Sequence, residues 1–385
     1  MDILIDRTFL LHTLQDLVRI DSVNPSLSPD GRGEAEIASY LSDRLRDFGL
    51  NVNLLESVRG RPSVVGTLAG KGSGRSLMLN AHIDTVGVEG MQDPFAAVVK
   101  NGRLYGRGAY DMKGSIAAIL TAVKALIDHD VRLSGDLVVT LVADEEYESI
   151  GTREVIRHYK TDAAIVTEPS HLNICLAHKG FIWFRVETLG RAAHGSRYQE
   201  GIDANMHMGR FLCELEKLEK KLRSQKGHPL VGPPTLHAAM IHGGTGLSTY
   251  AAKCTLHVER RTIPGEDEPL ARKQLEAILE RLGNQDDQFK ATLETLCVRE
   301  PFETSPDAGI VTVLAGILQK TLGKEPGYVG ETPWMDSALL AAAGIETVVF
   351  GPAGGGAHAR EEWVEIESVE KLAAILAHAA VDYCR

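Results

Sequence analysis

The sequence predicts an α/β protein, with a doubly wound, mostly parallel sheet and an inserted α+β (ferredoxin-like) unit. Strands of buried type alternate with amphipathic helices up to about residue 180, and the same alternation resumes after residue 299. Such alternation gives parallel strands with helices on both faces. Between residues 181 and 298, strands that alternate apolar and polar residues accompany two helices, which is typical of a half-exposed antiparallel sheet. We therefore predict a main domain, 1–180 plus 299–385, and an inserted domain, 181–298.

The main domain begins with two helices. Apolar residues recur with a helical period over 8–20 and about 34–48, and Gly49 ends the second helix. The runs VNLLE, SVVGTLAG, LMLNAH and GDLVVTLVADEE read as strands. A long apolar face predicts a helix over DMKGSIAAILTAVKALIDH, beginning at Asp111 or soon after, and another covers about 369–383. The segment GKGSGR lacks the ending of a phosphate-binding loop and is interpreted as a hairpin turn.

The inserted domain is predicted from three strands and two helices. FIWFRVETLG, KCTLHVERR and FKATLETLCV have strand patterns, and helices are expected over about 203–222 and 269–282.

Composition narrows the class of protein. The chain has 385 residues, 44% of them hydrophobic, which is enough for two domains. A formal net charge of -11 argues against nucleic acid or an anionic membrane as a partner. The five cysteines are scattered without a CxxC pair and are expected to be buried thiols in a reducing compartment. The N-terminal residues carry acids where a signal peptide carries bases, so a cytoplasmic protein is expected.

The stretch 77–114 contains the first candidate metal ligands. His82 and Asp84 lie two residues apart, so on a strand they would share a face and the carboxylate could orient the imidazole. A surface histidine near an acid is the alternative. Asp111 follows a glycine-rich turn, where it could bind metal, cap the following helix, or do both.

Further carboxylates and a second histidine follow other predicted strands. Glu145 and Glu146 could divide labour as base and ligand, although acids also favour helix N-termini. Glu168 and His358 each end an apolar run. A parallel sheet would bring these positions to one edge together with His82 and Asp111. Two histidines and three carboxylates without cysteine suit two divalent ions, with zinc the first choice and cobalt or manganese the alternatives.

The motifs HIDTV, GRGAYDMKG, ADEE, TEP, AAHGS, ERRTIPGE and GPAGGGAH occur in this order along nearly the whole chain. This ordered set resembles the metal-dependent amidohydrolase and exopeptidase family that includes acetylornithine deacetylase, succinyl-diaminopimelate desuccinylase, aminoacylase and carboxypeptidase G.

The resemblance implies roles for individual residues. One metal would be held by His82, Asp111 and Glu168, and the other by Asp111, Glu146 and His358, with Asp111 bridging. Glu145 would be the general base for a metal-activated water, and Asp84 would orient His82. The inserted domain would be a lid and dimerisation domain.

The same resemblance places substrate contacts in the lid and in the last glycine-rich turn. His194 would reach the active site of the partner subunit in a homodimer, and Arg261 would bind the substrate carboxylate, although Arg260 is its neighbour. Gly354, Gly355 and Gly356 would approach that carboxylate or merely position His358. The chain departs from the family pattern at Ser248, where many relatives have Asn, and at Tyr198, where Pro is frequent.

The expected function is hydrolysis of an N-acyl amino acid, because Glu168 in place of Asp resembles the deacylase branch. The alternative is a metallo-exopeptidase that cleaves short peptides with the same atoms. A non-catalytic binding protein that retains the fold is a third possibility, against which the Glu145–Glu146 pair argues.

Overall fold

The computed structural model describes residues 3–323 and 325–385. Its helices are α1 (Arg7–Arg19), α2 (Ala35–Asp47), α3 (Gly114–Asp128), α4 (Ile150–His158), α5 (Ala204–Ser224), α6 (Glu268–Gln285), α7 (Gly309–Leu322), α8 (Ser337–Ala342) and α9 (Ile366–Tyr383). Its strands are β1 (Asn51–Leu55), β2 (Ser63–Leu68), β3 (Leu77–His82), β4 (Val98–Lys100), β5 (Arg103–Tyr105), β6 (Leu137–Val142), β7 (Ala163–Val166), β8 (Ile174–His178), β9 (Gly180–Leu189), β10 (Thr235–Gly243), β11 (Lys253–Thr262), β12 (Lys290–Arg299), β13 (Phe302–Glu303), β14 (Tyr328–Glu331), β15 (Glu346–Val349), β16 (Gly354–Gly355) and β17 (Trp363–Glu365). Across the described residues, no helix combines the length and hydropathy needed to cross a bilayer.

The chain divides into two compact units. The main unit comprises the residues up to Leu176 together with Thr304–Val329 and Met335–Arg385. The inserted unit comprises Ala177–Glu303 and Gly330–Trp334.

The main unit is built on a mostly parallel sheet. Its strands follow the order β1-β2-β6-β3-β7-β15-β8, and the central strands β6, β3, β7 and β15 pair in parallel. All six residues of β3 and of β6 are buried, as expected for strands covered on both faces. Helices α1, α3, α7 and α9 form one packed group, while α4 packs with α8. The predicted fold class is confirmed, and the parallel strands end at one edge of the sheet.

The inserted unit has the chain order β9-α5-β10-β11-α6-β12 and the sheet order β10-β11-β9-β12, with every pairing antiparallel. This is the ferredoxin-like arrangement. Its core joins the helix-facing side chains of the sheet to α5 and α6, with Phe184, Phe211 and Leu256 fully buried.

The predicted hairpin at GKGSGR is wrong. β2 and β3 are not neighbours, because β6 lies between them and pairs with both. The glycines serve close backbone packing instead: a Cβ on Gly70 or Gly74 would lie 2.4 or 2.5 Å from backbone atoms of Gly135.

The expectation that all five cysteines are buried is also wrong. Cys213 is exposed on α5 and Cys297 is partly exposed, while Cys175, Cys254 and Cys384 are buried, and all five are free thiols. An amphipathic helix such as α5 has a polar face, and a cysteine on that face meets solvent.

We expect N-ethylmaleimide to modify Cys213 in the native protein and Cys384 only after unfolding. Burial raises the pKa of Cys384 to about 12, so at pH 8 about one thiol in ten thousand is the reactive thiolate. Peptide mass spectrometry with and without guanidinium measures this difference. Native labelling of Cys384 at the rate of Cys213 would contradict the buried environment.

Candidate metal centre

The parallel strands place three of the candidate residues at the same edge of the main unit's sheet. His82 is the last residue of β3, while Glu145 and Glu168 follow shortly after β6 and β7. His358 comes from the loop after β16, where its backbone has a left-handed φ of 61°. The parallel pairing of β3 with β6 and β7 brings His82, Glu145 and Glu168 together. His358 reaches them from a separate sheet, in which β16 pairs antiparallel with β17.

The two imidazoles meet at Asp111. His82 Nε2 lies 2.9 Å from Asp111 Oδ1, and His358 Nε2 lies 3.3 Å from Asp111 Oδ2. Each carboxylate oxygen thus faces a different histidine, which is the arrangement a bridging carboxylate needs.

Two further carboxylates complete this cluster. His358 Nε2 lies 3.1 Å from Glu146 Oε2, and His82 Nε2 lies 3.6 Å from Glu168 Oε1. Groups of three with ligand atoms within 4.8 Å of one another are His82–Asp111–Glu146 and His82–Glu145–Glu168. Their membership differs from the predicted ligand sets, since Glu145, the predicted base, falls in the second group.

The pKa values of the glutamate carboxyl groups in this site are raised by burial and by the negative charges of their neighbours. Burial raises the pKa of Glu145, and the carboxylates of Glu168 and Asp336 raise it further. Burial likewise raises the pKa of Glu146, and it raises that of Glu168 to about 8.

The histidines respond in the opposite direction. Burial alone lowers the pKa of His82, but Glu168, Asp111 and Asp84 outweigh it and hold the pKa well above its ordinary value. Hydrogen bonds to Asp111 and Glu146 raise the pKa of His358 to about 10.

The donor set fits divalent cations. In the absence of a cation, the mutual repulsion of the carboxylates is offset only by protonated histidines and by protonation of some of the carboxyl groups. A pair of cations supplies the same positive charge, and imidazole nitrogen with carboxylate oxygen suits zinc and other borderline metals.

Asp84 touches two parts of the site. His82 Nδ1 lies 3.0 Å from the backbone oxygen of Asp84 and 3.6 Å from its carboxylate. The carboxylate accepts hydrogen bonds from the backbone N–H groups of Glu145 and Glu146, at 3.1 and 3.3 Å. Asp84 therefore holds the segment that carries the proposed base as well as the imidazole.

A buried network of hydrogen bonds that includes Asp84 was not predicted from the sequence. Asn24 Nδ2 donates to Asp84 Oδ2 at 2.8 Å and to Asp144 Oδ1 at 2.9 Å. Arg61 Nη2 donates to Asp144 at 2.8 Å and to Glu34 at 2.6 Å. These residues are far apart in sequence, so no spacing could reveal the network.

Replacing Arg61 by Met should destabilise the main unit by about 3–5 kcal/mol, because two buried carboxylates lose their cation. Glu34 is fully buried and Asp144 is 1% exposed. Urea unfolding of the variant measures the loss. Arg59→Met, at an exposed neighbour, is the matched control, and equal stability of the two variants would refute this role of Arg61.

Glu362 is a further residue that the sequence analysis missed. Its Oε1 accepts the backbone N–H groups of Tyr110 and Asp111 at 2.9 and 3.0 Å. Its Oε2 accepts Gly108 N–H at 3.0 Å and Arg107 Nη1 at 2.7 Å. Glu362 therefore fixes the turn that presents Asp111. No local pattern in the sequence marks Glu362, because its partners lie more than 250 residues earlier in the chain.

Asp111 does not cap α3, so that interpretation is wrong. The helix begins at Gly114 with Lys113 as its N-cap, and Asp111 has φ -118° and ψ 92° inside a short irregular turn, Ala109–Lys113. The buried Lys113 anchors this turn, since its Nζ donates to the backbone oxygen of Ile20 at 2.7 Å. The carboxylate of Asp111 is thus directed to the histidines.

The glycine-rich turn before His358 is closely packed. A Cβ on Gly354 would lie 2.4 Å from the Tyr110 ring, and one on Gly355 would lie 3.0 Å from the Trp363 ring. Gly356 has φ 80°, and a Cβ there would meet the backbone oxygen of Glu361 at 1.9 Å. These contacts explain the glycines by local packing; a substrate contact stays a prediction.

The remaining predicted residues, His194 and Arg261, belong to the inserted unit. His194 is exposed on a loop, where its Nδ1 lies 2.8 Å from Ser196 Oγ. Arg260 is buried and pairs with Glu266 at 2.8 Å. Arg261, on the opposite face of β11, retains a side chain that is 33% exposed. Of the two arginines, Arg261 is therefore the one available to a ligand.

The cluster of imidazoles and carboxylates at this edge of the sheet is a donor set of the kind with which metallohydrolases activate water, and hydrolases of amide and peptide bonds are among them. Peptidase family M20/M25/M40 matches residues 78–382, and the chain belongs to this family.

Relatives with curated names span nearly the same length. The chain is 31% identical to acetylornithine deacetylase of Myxococcus xanthus, over 97% of both chains. It is 29% identical to N-formyl-4-amino-5-aminomethyl-2-methylpyrimidine deformylase of Bacillus subtilis, over 93% of this chain and 91% of the relative.

Solved structures share the fold. A tripeptidase from Staphylococcus aureus matches with TM-score 0.81 at 20% identity, covering 99% of both chains. A dinuclear metal-binding peptidase of the M20 family from Bacillus subtilis matches with TM-score 0.76 at 15% identity, covering 98% of both.

Proposed function

We propose that the protein is a di-zinc amidohydrolase that removes a small acyl group from the amino group of an amino acid. His82, Asp111 and Glu168 would hold one ion, and Asp111, Glu146 and His358 the other. The observation that carries the proposal is Asp111 between the two histidines, with one carboxylate oxygen toward each. Bound metal would polarise the amide carbonyl and lower the pKa of water.

Glu145 is the proposed proton carrier. Its backbone N–H donates to Asp84, and its carboxylate has an oxygen within 4.8 Å of ligand atoms of His82 and Glu168. A carboxylate beside the metal ligands can take a proton from the attacking water and later deliver it to the departing amine. This residue therefore serves first as base and then as acid.

The choice of a deacylase over an exopeptidase rests on Glu168 and on the named relatives. An acetylornithine deacetylase and a deformylase both have names that describe removal of a small acyl group from an amine. The structural likeness to a tripeptidase supports the fold that both activities share.

A substrate panel tests this proposal. The protein, reconstituted with Zn²⁺, Co²⁺ or Mn²⁺ after chelation, is assayed with N-acetyl, N-formyl and N-succinyl amino acids and with di- and tripeptides. We expect hydrolysis of the N-acyl amino acids and highest activity with zinc. Cleavage of peptides alone would replace the deacylase proposal by the exopeptidase, and no metal-dependent hydrolysis of either class would reject both.

We further propose a cytoplasmic homodimer formed by the inserted unit. Free thiols suit a reducing compartment.

The proposed dimer contact is β10. It is an edge strand of the described sheet, and Met240 and Ile241 on it are 64% and 57% exposed. Exposed apolar edge strands tend to pair with another chain. Ile241→Lys should yield monomers in analytical ultracentrifugation, whereas Leu54→Lys on β1 should not.

His194 is proposed to act in the partner's active site. If so, mixed dimers of His194→Ala and Glu145→Ala chains contain one intact site, and random pairing should restore about a quarter of wild-type activity. Each variant alone should remain impaired. Mixed dimers with no recovered activity would place His194 outside the partner's site.

A further inference from the structure

The connection between α1 and α2, residues 20–34, is buried in its middle. Loops normally run over a protein surface, because buried backbone groups need hydrogen-bond partners. Here Ser22, Val23 and Asn24 are at most 4% exposed. Their backbone finds its partner just beyond β3: Asn24 N–H donates to Thr85 O at 2.8 Å, and Thr85 N–H donates to Ser22 O at 3.1 Å. The α1–α2 connection is therefore paired with the segment that follows β3.

The side chain of Asn24 bridges two buried acids. Its Oδ1 accepts the backbone N–H of Ser26 at 2.9 Å, which identifies the other end of the amide as the nitrogen. Nδ2 then donates to Asp84 Oδ2 at 2.8 Å and to Asp144 Oδ1 at 2.9 Å. A primary amide has two N–H donors, so each carboxylate receives one of them.

The two bridged acids hold the segment that carries Glu145 and Glu146. Asp84 accepts the backbone N–H groups of both glutamates, at 3.1 and 3.3 Å. Asp144 is the residue directly before them, and its backbone has a left-handed φ of 67°. The bridging amide can thus act on the two glutamates through the acids on either side of it.

The α1–α2 connection also reaches the turn that presents Asp111. Lys113 is fully buried, and its Nζ donates to the backbone oxygen of Ile20, the first residue of the connection, at 2.7 Å. One connection therefore contacts the chain segments that carry His82, Asp111 and Glu146, although it contributes no proposed ligand itself.

We propose that Asn24 is a positioning residue of the candidate metal centre. Its amide fixes the distance between Asp84 and Asp144. The Glu145–Glu146 pair, which these acids hold, is thereby placed beside the other proposed ligands. A neutral group with two N–H donors suits this place, because a carboxylate would repel both acids and a methyl group would satisfy neither. This role rests on the proposed function, since it assumes that the pair supplies a base and a ligand.

A simpler role for Asn24 is to shape the loop. Asn and Asp both stabilise turns by accepting the backbone N–H two residues further on, as Asn24 does with Ser26. That role needs only Oδ1. Asn24→Asp keeps this acceptor and loses the two donors, so the substitution separates the two roles.

Zinc affinity is the first test and needs no substrate. Calorimetric titration of zinc into the chelated protein should show affinity weakened about tenfold to a hundredfold in Asn24→Asp, as for other changes behind metal ligands. Asn24→Ala should also weaken binding, and it decides the test if the added charge of Asn24→Asp prevents folding. Unchanged zinc affinity in a folded variant of either kind, checked by circular dichroism, would overturn the proposal.

Leu314→Ala is the control for a general loss of stability. Leu314 is a fully buried residue of α7, and its truncation leaves a cavity in the main unit. The variant should unfold at a lower urea concentration than the wild type but keep its zinc affinity within twofold. Weakening of zinc binding in Leu314→Ala equal to that in the Asn24 variants would reduce Asn24 to a structural role.

The kinetic constants provide the second test. With zinc at saturating concentration, Asn24→Asp should lower kcat for an N-acyl amino acid about tenfold or more and leave KM within twofold. The reason is that the bridge holds the proposed base and a proposed ligand. A loss confined to KM would contradict this role.

The two tests separate the role of Asn24 from the proposed reaction. Weakened zinc binding in the Asn24 variants of a protein that hydrolyses no amide would support the role and reject the proposed function. Hydrolysis of N-acyl amino acids, with kcat and zinc affinity of the variants equal to those of the wild type, would reject the role and leave the proposed function standing. A wild-type protein that binds no divalent ion would reject both.

Discussion

Replacing Glu145 by Gln should lower kcat about a hundredfold to ten-thousandfold, the usual contribution of a general acid–base. The amide keeps the shape of the carboxyl but can neither accept the proton of water nor pass one to the leaving amine. Metal content, measured by mass spectrometry, should stay close to that of the wild type, because the proposed ligand sets do not include Glu145.

Glu148→Gln is the matched control for this prediction. Glu148 is exposed in the same acidic segment. Its hydrogen bond to Asp144, at 3.0 Å, is made by its backbone N–H and not by its side chain, so the substitution leaves that bond in place. Its kcat should remain within twofold of wild type. Because Glu145 also falls within one group of potential ligand atoms, loss of metal in Glu145→Gln would reassign it from base to ligand.

Replacing Glu362 by Gln should weaken metal binding about tenfold to a hundredfold, as changes to the partners of metal ligands usually do. Both oxygens of Glu362 accept two donors each from the turn at 107–111. An amide retains one oxygen, and its NH₂ group would face the donors that the other oxygen accepted. Asp111 should then lose its fixed position between the histidines.

Calorimetric titration of zinc into the chelated protein measures this effect without reference to activity. Glu361→Gln is the control, since Glu361 is the exposed neighbour in sequence. Zinc affinity unchanged in Glu362→Gln, with the fold intact by circular dichroism, would show that Glu362 does not position Asp111.

The local hydrophobic pattern was enough to predict the helices and strands in which that pattern is strong. The buried runs of β3 and β6 and the apolar face of α3 were recognisable because burial on two faces, or on one helical face, leaves a direct signature. The pairing order was not recognisable: β6 separates β2 from β3, and no turn residue encodes which strand inserts between two others. The hairpin prediction at GKGSGR failed for this reason.

In the candidate site too, some residues are marked by a local pattern in the sequence and others are not. His82, Glu145 and Glu168 were noticed because each directly follows an apolar run, and such positions meet at one edge of a parallel sheet. Glu362 and Arg61 had no such marker, since their roles depend on buried hydrogen bonds to residues distant in sequence. Asp111 was ambiguous as a cap because the turn that displaces it from α3 is fixed by Glu362 and Lys113.

The order of the chain has a consequence for how the protein matures. His82, Asp111, Glu146 and Glu168 precede the inserted unit, whereas His358 and the positioning residue Glu362 follow it. During synthesis, the inserted unit is complete and has its own core before the last proposed ligand exists. A nascent chain would therefore hold only part of this acidic site, and the proposed second ion would have all of its proposed ligands only after residue 358 has been synthesised.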